Sequence, residues 1–140
     1  MTITHDSLQA LIQQGGMLQT HPREPLAAAA EALGYVVFDV DCSRAKSKSA
    51  VLRAIASAVD YPEFFGSNLD ALLDCLTATV LDAQKPGALV LLVGINAEEP
   101  GVGEHVDDIL TTFSDAAEYV RDNGRALAFV QVEGGAALND

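Results

Sequence analysis

Residues 61–77 read YPEFFGSNLDALLDCLT and carry the most informative pattern in the chain. Pro62 and Gly66 mark a tight connection, and a helix is predicted to follow from about Asn68 to Val80. On a helical wheel, the stripe that should face the core consists of Leu69, Leu72, Leu73, Leu76 and Val80. The segment is therefore predicted to be a loop followed by a helix that packs on a hydrophobic core.

Two carboxylates lie on one flank of this predicted helix. Asp70 and Asp74 are four residues apart, so their side chains are neighbours, and Thr77 follows one turn on. No Lys or Arg occurs between Arg53 and Lys85, so no basic residue close in sequence neutralises the pair. Because like charges at this spacing repel each other, we expect the pair to be screened by solvent or met by a cationic partner.

Each of these residues also has a purely structural interpretation. Asp70 stands three residues after Ser67, as in a capping box, and an acid in the first turn interacts favourably with the helix dipole. Asp74 lies a turn further in, where the alternative is a solvated surface residue. Phe64 could be an ordinary core residue, and Gly66 could supply a turn with positive φ. On these residues alone, both kinds of role stay open.

The rest of the chain alternates predicted strands and helices. Strands are expected at 35–40, 89–95 and 125–132, and helices at about 47–59, 68–80 and 107–122. Helical crossovers between strands imply a parallel sheet. We therefore predict an α/β fold with a small three-stranded parallel sheet packed with helices.

Residues 1–34 are predicted to form an N-terminal helical extension of two short helices, the first of which ends at Gly15-Gly16. The main domain is expected to span residues 35–133, followed by a frayed tail at 134–140. The extension could pack on the domain or contact a partner, and the sequence does not decide between these.

The charge distribution narrows the class of partner. The chain has 140 residues, a length typical of one domain, and a formal net charge of −12 at pH 7. Residues 54–120, which include a predicted acidic loop at 98–103, hold twelve acidic side chains and one basic side chain, Lys85. Nucleic acids and anionic membranes should repel such a surface. A basic protein or a cation is favoured instead.

Other signals indicate a reduced, cytoplasmic protein. Cys42 and Cys75 match no metal-binding or disulfide spacing, and the three histidines are scattered. The N-terminus lacks the basic start and apolar stretch of a signal peptide, and the apolar run 88–93 is too short to cross a bilayer. We expect no cofactor and no metal.

One enzyme interpretation is weighed against these signals. Residues 36–41 read VVFDVD, like the strand ending in Asp-x-Asp of phosphatases that use an aspartyl nucleophile and Mg²⁺. Only about 100 residues follow, and a suitable set of Lys and Thr residues at strand ends is not evident. Asp39 and Asp41 are better interpreted as marking the end of a strand, so we expect the protein not to be an enzyme.

Residues 61–77 closely resemble the signature of the barstar family of intracellular ribonuclease inhibitors. The family pattern runs Leu-Pro-Glu-Tyr-Tyr-Gly-x-Asn-Leu-Asp-Ala-Leu-x-Asp-x-Leu-Thr, and residues 61–77 reproduce its Pro, Glu, Gly, Asn-Leu-Asp-Ala-Leu, Asp and Leu-Thr elements in unbroken register. The resemblance as a whole covers about residues 36–132. The resemblance implies a barstar-like fold and a relation like that of an antitoxin to its toxin. The toxin would be a small basic ribonuclease of the barnase kind, whose active site the acidic helix and the loop before it would block.

The resemblance also implies which residues contact the ribonuclease. Asp74 matches the aspartate that enters the pocket for the substrate phosphate, and Asp70 matches one that pairs with a basic group at the rim. Phe64 matches an aromatic residue that stacks on a catalytic histidine. The same surface is implied to include Gly66, Asn68, Leu69, Thr77 and, from the final helix, Asp115.

The chain departs from the family at several positions on the rim of this implied site. Phe64 replaces a tyrosine, Ala78 replaces a glycine, and Leu73 and Thr79 stand where barstar itself has tryptophans. The acidic residues are retained. The alternative function is a non-enzymatic interaction domain with a different basic protein as its partner.

Overall fold

The protein has an α/β fold built on one parallel sheet. The computed structural model describes residues 5–19, 22–59, 68–96 and 98–132. Within them the elements are α1 (His5–Gln14), β1 (Gly16–Met17), α2 (Arg23–Ala32), β2 (Val36–Asp41), α3 (Lys48–Ala58), α4 (Leu69–Asp82), β3 (Gly87–Val93), α5 (Pro100–Gly103), α6 (Val106–Asp122) and β4 (Ala126–Val132). The sheet order is β1-β4-β3-β2, and every neighbouring pair is parallel. The predicted fold class is confirmed, but the prediction of three strands is wrong, because β1 adds a fourth at one edge.

Strand β3 lies in the interior of the sheet and is buried on both faces. Its side chains alternate between the faces, so Ala88, Val90 and Leu92 pack into one core while Leu89 and Leu91 pack into another. A strand covered on both sides reads as a continuous apolar run rather than an alternating pattern. The buried strand predicted at 89–95 is therefore confirmed, although it spans Gly87–Val93.

Helices α3, α4 and α6 cover the first face of the sheet. Ile55, Leu76 and Phe113, one from each helix, are almost completely buried there. The ring of Phe113 packs against Phe129 of β4 with their centroids 5.0 Å apart. Ser47 is the N-cap of α3, and its hydroxyl accepts the backbone N–H of Ala50 at 3.1 Å.

Helices α1 and α2 cover the second face. Ile12 from α1 and Leu26 from α2 are completely buried against Leu91 of β3 and Val130 of β4. These helices lie in the predicted N-terminal extension, so this part of the chain packs on the sheet.

Two short elements differ from the sequence-based expectations. β1 includes Gly16, and both Gly15 and Gly16 have positive φ, so the pair ends α1 as expected and then enters the sheet. A strand of two residues has too little length to show a period. Residues 98–103 were expected to be a loop, but Pro100 starts a single helical turn there, and a side chain at Gly101 would collide with the carbonyl of Lys46.

Helix α4, which carries most of the predicted site, begins at a side-chain cap. Asn68 is the N-cap, and its Oδ1 accepts the backbone N–H of Asp70 at 2.7 Å. The capping position therefore belongs to Asn68 instead of Ser67, and Asp70 lies in the first turn, where its charge favours the helix dipole. Asparagine satisfies a free N–H at this position as well as serine does.

We expect Asn68→Ala to lower the free energy of unfolding by about 1 kcal/mol, because the N–H of Asp70 loses its acceptor. Asn68→Ser should restore most of this loss, since a serine hydroxyl can also cap a helix. Urea unfolding of the three proteins, followed by circular dichroism, measures both effects. Equal stability of the alanine variant and the unmodified protein would contradict the capping role.

An ion pair joins α2 to β2. Arg23 Nε donates to Asp39 Oδ1 at 2.7 Å, and Arg23 Nη2 donates to Asp39 Oδ2 at 2.6 Å. Hydrogen bonds from the guanidinium lower the pKa of Asp39 below its usual range, although partial burial opposes this shift. The N-terminal layer is thus attached to the sheet by a two-point ion pair as well as by apolar packing.

Asp39→Asn should lower the free energy of unfolding at pH 7 by up to about 1 kcal/mol, a modest value because both side chains are partly exposed. Since folding lowers the pKa of Asp39, the carboxylate stabilises the protein above its unfolded pKa of about 3.9. That contribution disappears as the pH falls through the folded-state pKa. Urea unfolding at neutral pH and near pH 2 tests this, with Glu31→Gln on α2 as the control; an equal difference at both pH values would refute it.

Candidate partner-binding site

Helix α4 has one buried face and one exposed face. Its fully buried residues are Leu72, Cys75, Leu76 and Val80. Asp70 and Asp74 are exposed, whereas Leu69 and Leu73 are only half-buried. The predicted stripe faces the core, because Leu72, Leu76 and Val80 belong to it and Leu69 and Leu73 pack against its edge. Cys75 is a further buried residue of this face.

A surface cavity of about 350 Å³ lies between α4 and α6. It is lined by Leu73, Asp74 and Thr77 from α4 and by Asp115 and Tyr119 from α6. The two helices pack side by side on the same face of the sheet, which brings together residues that are about forty positions apart in the chain. We call this feature the α4–α6 cavity.

Three of the predicted site residues line the α4–α6 cavity. Asp74 and Asp115 are exposed carboxylates, and Thr77 is half-buried. The Thr77 hydroxyl donates to the backbone carbonyl of Leu73 at 3.0 Å and also lies 3.2 Å from that of Asp74. Its proton is used inside the helix, so Thr77 is left with an oxygen that can accept hydrogen bonds.

Three further predicted site residues lie in the described part of the chain but away from the cavity. Asn68, Leu69 and Asp70 form the start of α4 and do not line the cavity. Phe64 and Gly66 fall in residues 60–67, outside the described part of the chain, as does the predicted tail at 134–140.

Tyr119 lines the cavity but was missed by the sequence interpretation. Its side chain is 53% exposed, and it lies one helical turn after Asp115. The available signal was a large aromatic residue on the polar side of an amphipathic helix. It was overlooked because the resemblance implied Asp115 alone from this helix.

The cavity is negatively charged. In the described part of the chain, neither Asp74 nor Asp115 forms an ion pair. Arg121, the basic residue of α6, is turned toward α1, where its Nη2 donates to the backbone carbonyl of Gln14 at 2.6 Å. The cavity therefore presents two carboxylates and an aromatic ring to solvent, an arrangement that can bind a cationic group.

Asp39 and Asp41, the two acids of the phosphatase-like motif, form hydrogen bonds within the fold. Asp39 is held by Arg23, and Asp41 accepts hydrogen bonds from the hydroxyl of Ser43 at 2.6 Å and from its backbone N–H at 3.0 Å. Among residues 5–19, 22–59, 68–96 and 98–132, no group of three or more His, Cys, Asp or Glu side chains could hold a metal ion. Both aspartates have local structural roles at the end of β2.

The two cysteines are free thiols enclosed in the fold. Burial raises the pKa of Cys42 to about 12 and that of Cys75 to about 11. Both thiols are therefore protonated at neutral pH and are poor nucleophiles.

None of the helices described here is long and apolar enough to cross a membrane.

The chain is similar in sequence to known proteins. The sequence model of the family described as "Barstar (barnase inhibitor)" matches residues 35–131. A protein of Bacillus subtilis (strain 168), named "Putative ribonuclease inhibitor YrdF", is 38% identical over 64 residues, which make up 46% of this chain and 66% of that protein. The matched region thus spans slightly less than two thirds of that relative.

The family match runs from just before β2 to the end of β4 and includes both helices that line the cavity. It leaves out α1, β1 and α2, which cover the second face of the sheet. This match confirms the resemblance deduced from residues 61–77. Because the family model matches more than half of this chain, the chain belongs to the barstar family.

Proposed function

We propose that this protein is a non-catalytic inhibitor of a small basic ribonuclease. The exposed face of α4, the loop before it and the adjoining part of α6 would cover the active site of the nuclease. The observation that carries the proposal is the α4–α6 cavity, which unites Asp74, Thr77 and Asp115. The family resemblance assigns these three residues to one contact surface, although they lie on separate helices.

The chemistry of a ribonuclease active site supports this pairing. Such a site binds a polyanion, so it carries cationic side chains around the position of the substrate phosphate. Asp74 can take the place of that phosphate and accept charge-assisted hydrogen bonds. A partner that closes over the cavity also removes water from it, which strengthens the attraction between the opposite charges.

The positions of the two acids on α4 suggest different contributions to binding. Asp74 lines the cavity, so its contact would be enclosed in the complex and should mainly slow dissociation. Asp70 is exposed in the first turn of α4, where its contact would be peripheral. We assign to Asp70 a contribution to the association rate that depends on salt.

The proposal places the inhibitor in the cytoplasm, because free, buried thiols are usual in a reducing compartment. It requires no cofactor and no metal. Its acidic surface would attract a basic protein over a distance and would repel RNA, the substrate of that protein.

The proposal is tested by titrating the protein into barnase and into small basic ribonucleases from the organism that makes this protein. The titrations are done at low and at moderate ionic strength. We expect stoichiometric inhibition that weakens as salt is added. Asp74→Asn should weaken inhibition by about 100-fold or more, because it leaves enclosed cationic groups of the nuclease without their carboxylate.

Asp82→Asn is the matched control for this experiment. It removes the same charge from the same helix, but Asp82 is the last residue of α4 and does not line the cavity. Equal, small effects of the two substitutions would remove Asp74 from the centre of the site. A folded protein that inhibits none of the nucleases would refute the proposal and favour a different basic protein as the partner.

A further inference from the structure

Tyr119 is a large aromatic side chain left in water beside two carboxylates. It is 53% exposed, and it forms one wall of the α4–α6 cavity together with Asp115 on the same helix. Asp74 and Thr77 form the opposite wall from α4, next to Leu73. The cavity thus combines an aromatic ring, two acids, a hydroxyl oxygen and an apolar side chain.

The fold makes little use of the Tyr119 side chain. Helix α6 is anchored to the core by Ile109, Phe113 and Val120, all of which are almost completely buried. In the part of the chain that the structure describes, the Tyr119 hydroxyl forms no hydrogen bond, and the residue contributes only its backbone carbonyl, which accepts from Asn123 Nδ2 at 2.9 Å. Its exposed ring is available to a partner.

We propose that Tyr119 is a partner-contact residue and that the α4–α6 cavity takes an arginine side chain of the ribonuclease. The guanidinium would stack on the ring of Tyr119 and donate hydrogen bonds to Asp74 and Asp115. This inference rests on the proposed function for the kind of protein that carries the arginine. It adds Tyr119 to Asp115 as a second residue of α6 that determines which partner is bound.

Arginine fits this cavity better than lysine does. A guanidinium is planar, so one face can stack on an aromatic ring while its edge donates to carboxylates. Its five N–H donors can reach acceptors on two helices at once, whereas a lysine ammonium is a compact and strongly hydrated point charge. Thr77 offers a further acceptor oxygen, because its own proton is bonded inside α4.

The cavity has room for the end group of an arginine side chain. Its volume of about 350 Å³ is at the lower end of the range found for small-molecule pockets, about 300–1,000 Å³. Leu73, which is half-buried at the edge of the core stripe, gives the methylene groups of an arginine an apolar surface to cover.

The first test is inhibition of barnase by Tyr119→Ala and Tyr119→Phe. The alanine variant should bind about 3- to 30-fold more weakly, the range expected for a lost cation–π contact, while the phenylalanine variant should stay close to the unmodified protein. Met17→Ala is the control, since Met17 is also a large exposed side chain but lies on β1. Unchanged affinity of Tyr119→Ala, with inhibition intact, would overturn the inference and leave the proposed function standing.

The second test does not depend on a ribonuclease. Nα-acetyl-arginine amide is titrated into the protein, and the ring resonances of Tyr119 are followed by nuclear magnetic resonance, with Nα-acetyl-lysine amide as the comparison. We expect a saturable shift with the arginine compound that Asp115→Asn reduces and Glu118→Gln does not. An equal shift with the lysine compound, or no shift with either, would overturn the choice of arginine.

The two tests separate failure of this inference from failure of the proposed function. If no ribonuclease is inhibited but the arginine compound still shifts Tyr119 saturably, the inhibitor proposal fails and the ligand chemistry of the cavity is supported. Circular dichroism and urea unfolding of each variant verify that a lost signal reflects a lost contact and not a lost fold.

Discussion

The apolar strand β3 sets the requirement on which the rest of the molecule depends. Its side chains alternate between two faces and are buried on both, so each face of the sheet has to be covered by helices. The first face receives α3, α4 and α6, which places α4 and α6 side by side. The α4–α6 cavity is a consequence of this layering, since its two walls belong to helices that reach the same face of the sheet by separate crossovers.

One helix serves both the core and the surface because of its period. In α4, Leu72, Leu76 and Val80 fix the helix on the sheet, while Asp74 and Thr77 emerge on the opposite side. Repulsion between neighbouring acids amounts to only a few tenths of a kcal/mol, which is small compared with the burial of three large apolar side chains. The fold can therefore hold an acidic surface in place without a compensating base on the same helix.

Local pattern predicted most of the elements in this chain. The buried strand β3 and the helices α3, α4 and α6 all follow from residue periodicity and from helix start and stop signals within a short window. The errors arise where the window is too short or the partner too distant. β1 has two residues, and the helical turn Pro100–Gly103, which was expected to be a loop, packs beside α3 from a distant part of the chain.

In the candidate site too, some residues could be predicted from the sequence, whereas others depend on packing between distant elements. The resemblance of residues 61–77 to one family led to Asp74, Thr77 and Asp115, and the structure brings these three together. It gave no reason to consider Tyr119, because it implied only Asp115 from α6. The contact between residues of α4 and α6 arises from tertiary packing, so it cannot be deduced from their spacing along the sequence.

The aspartates of this protein show why the sequence motif of an acid is a weak guide to its role. Asp39 and Asp41 have the more suggestive motif, a strand that ends in Asp-x-Asp, but Arg23 and Ser43 satisfy their carboxylates within the fold. Asp74 and Asp115 stand in no catalytic motif, yet in the described part of the chain they have no cationic partner and share one cavity. A carboxylate that the fold already neutralises contributes to stability, whereas one left without a counter-charge beside a cavity is free to bind a cation from outside. The hydrogen-bond donors that a carboxylate meets inside the fold, more than the motif in which it stands, separate Asp39 and Asp41 from Asp74 and Asp115.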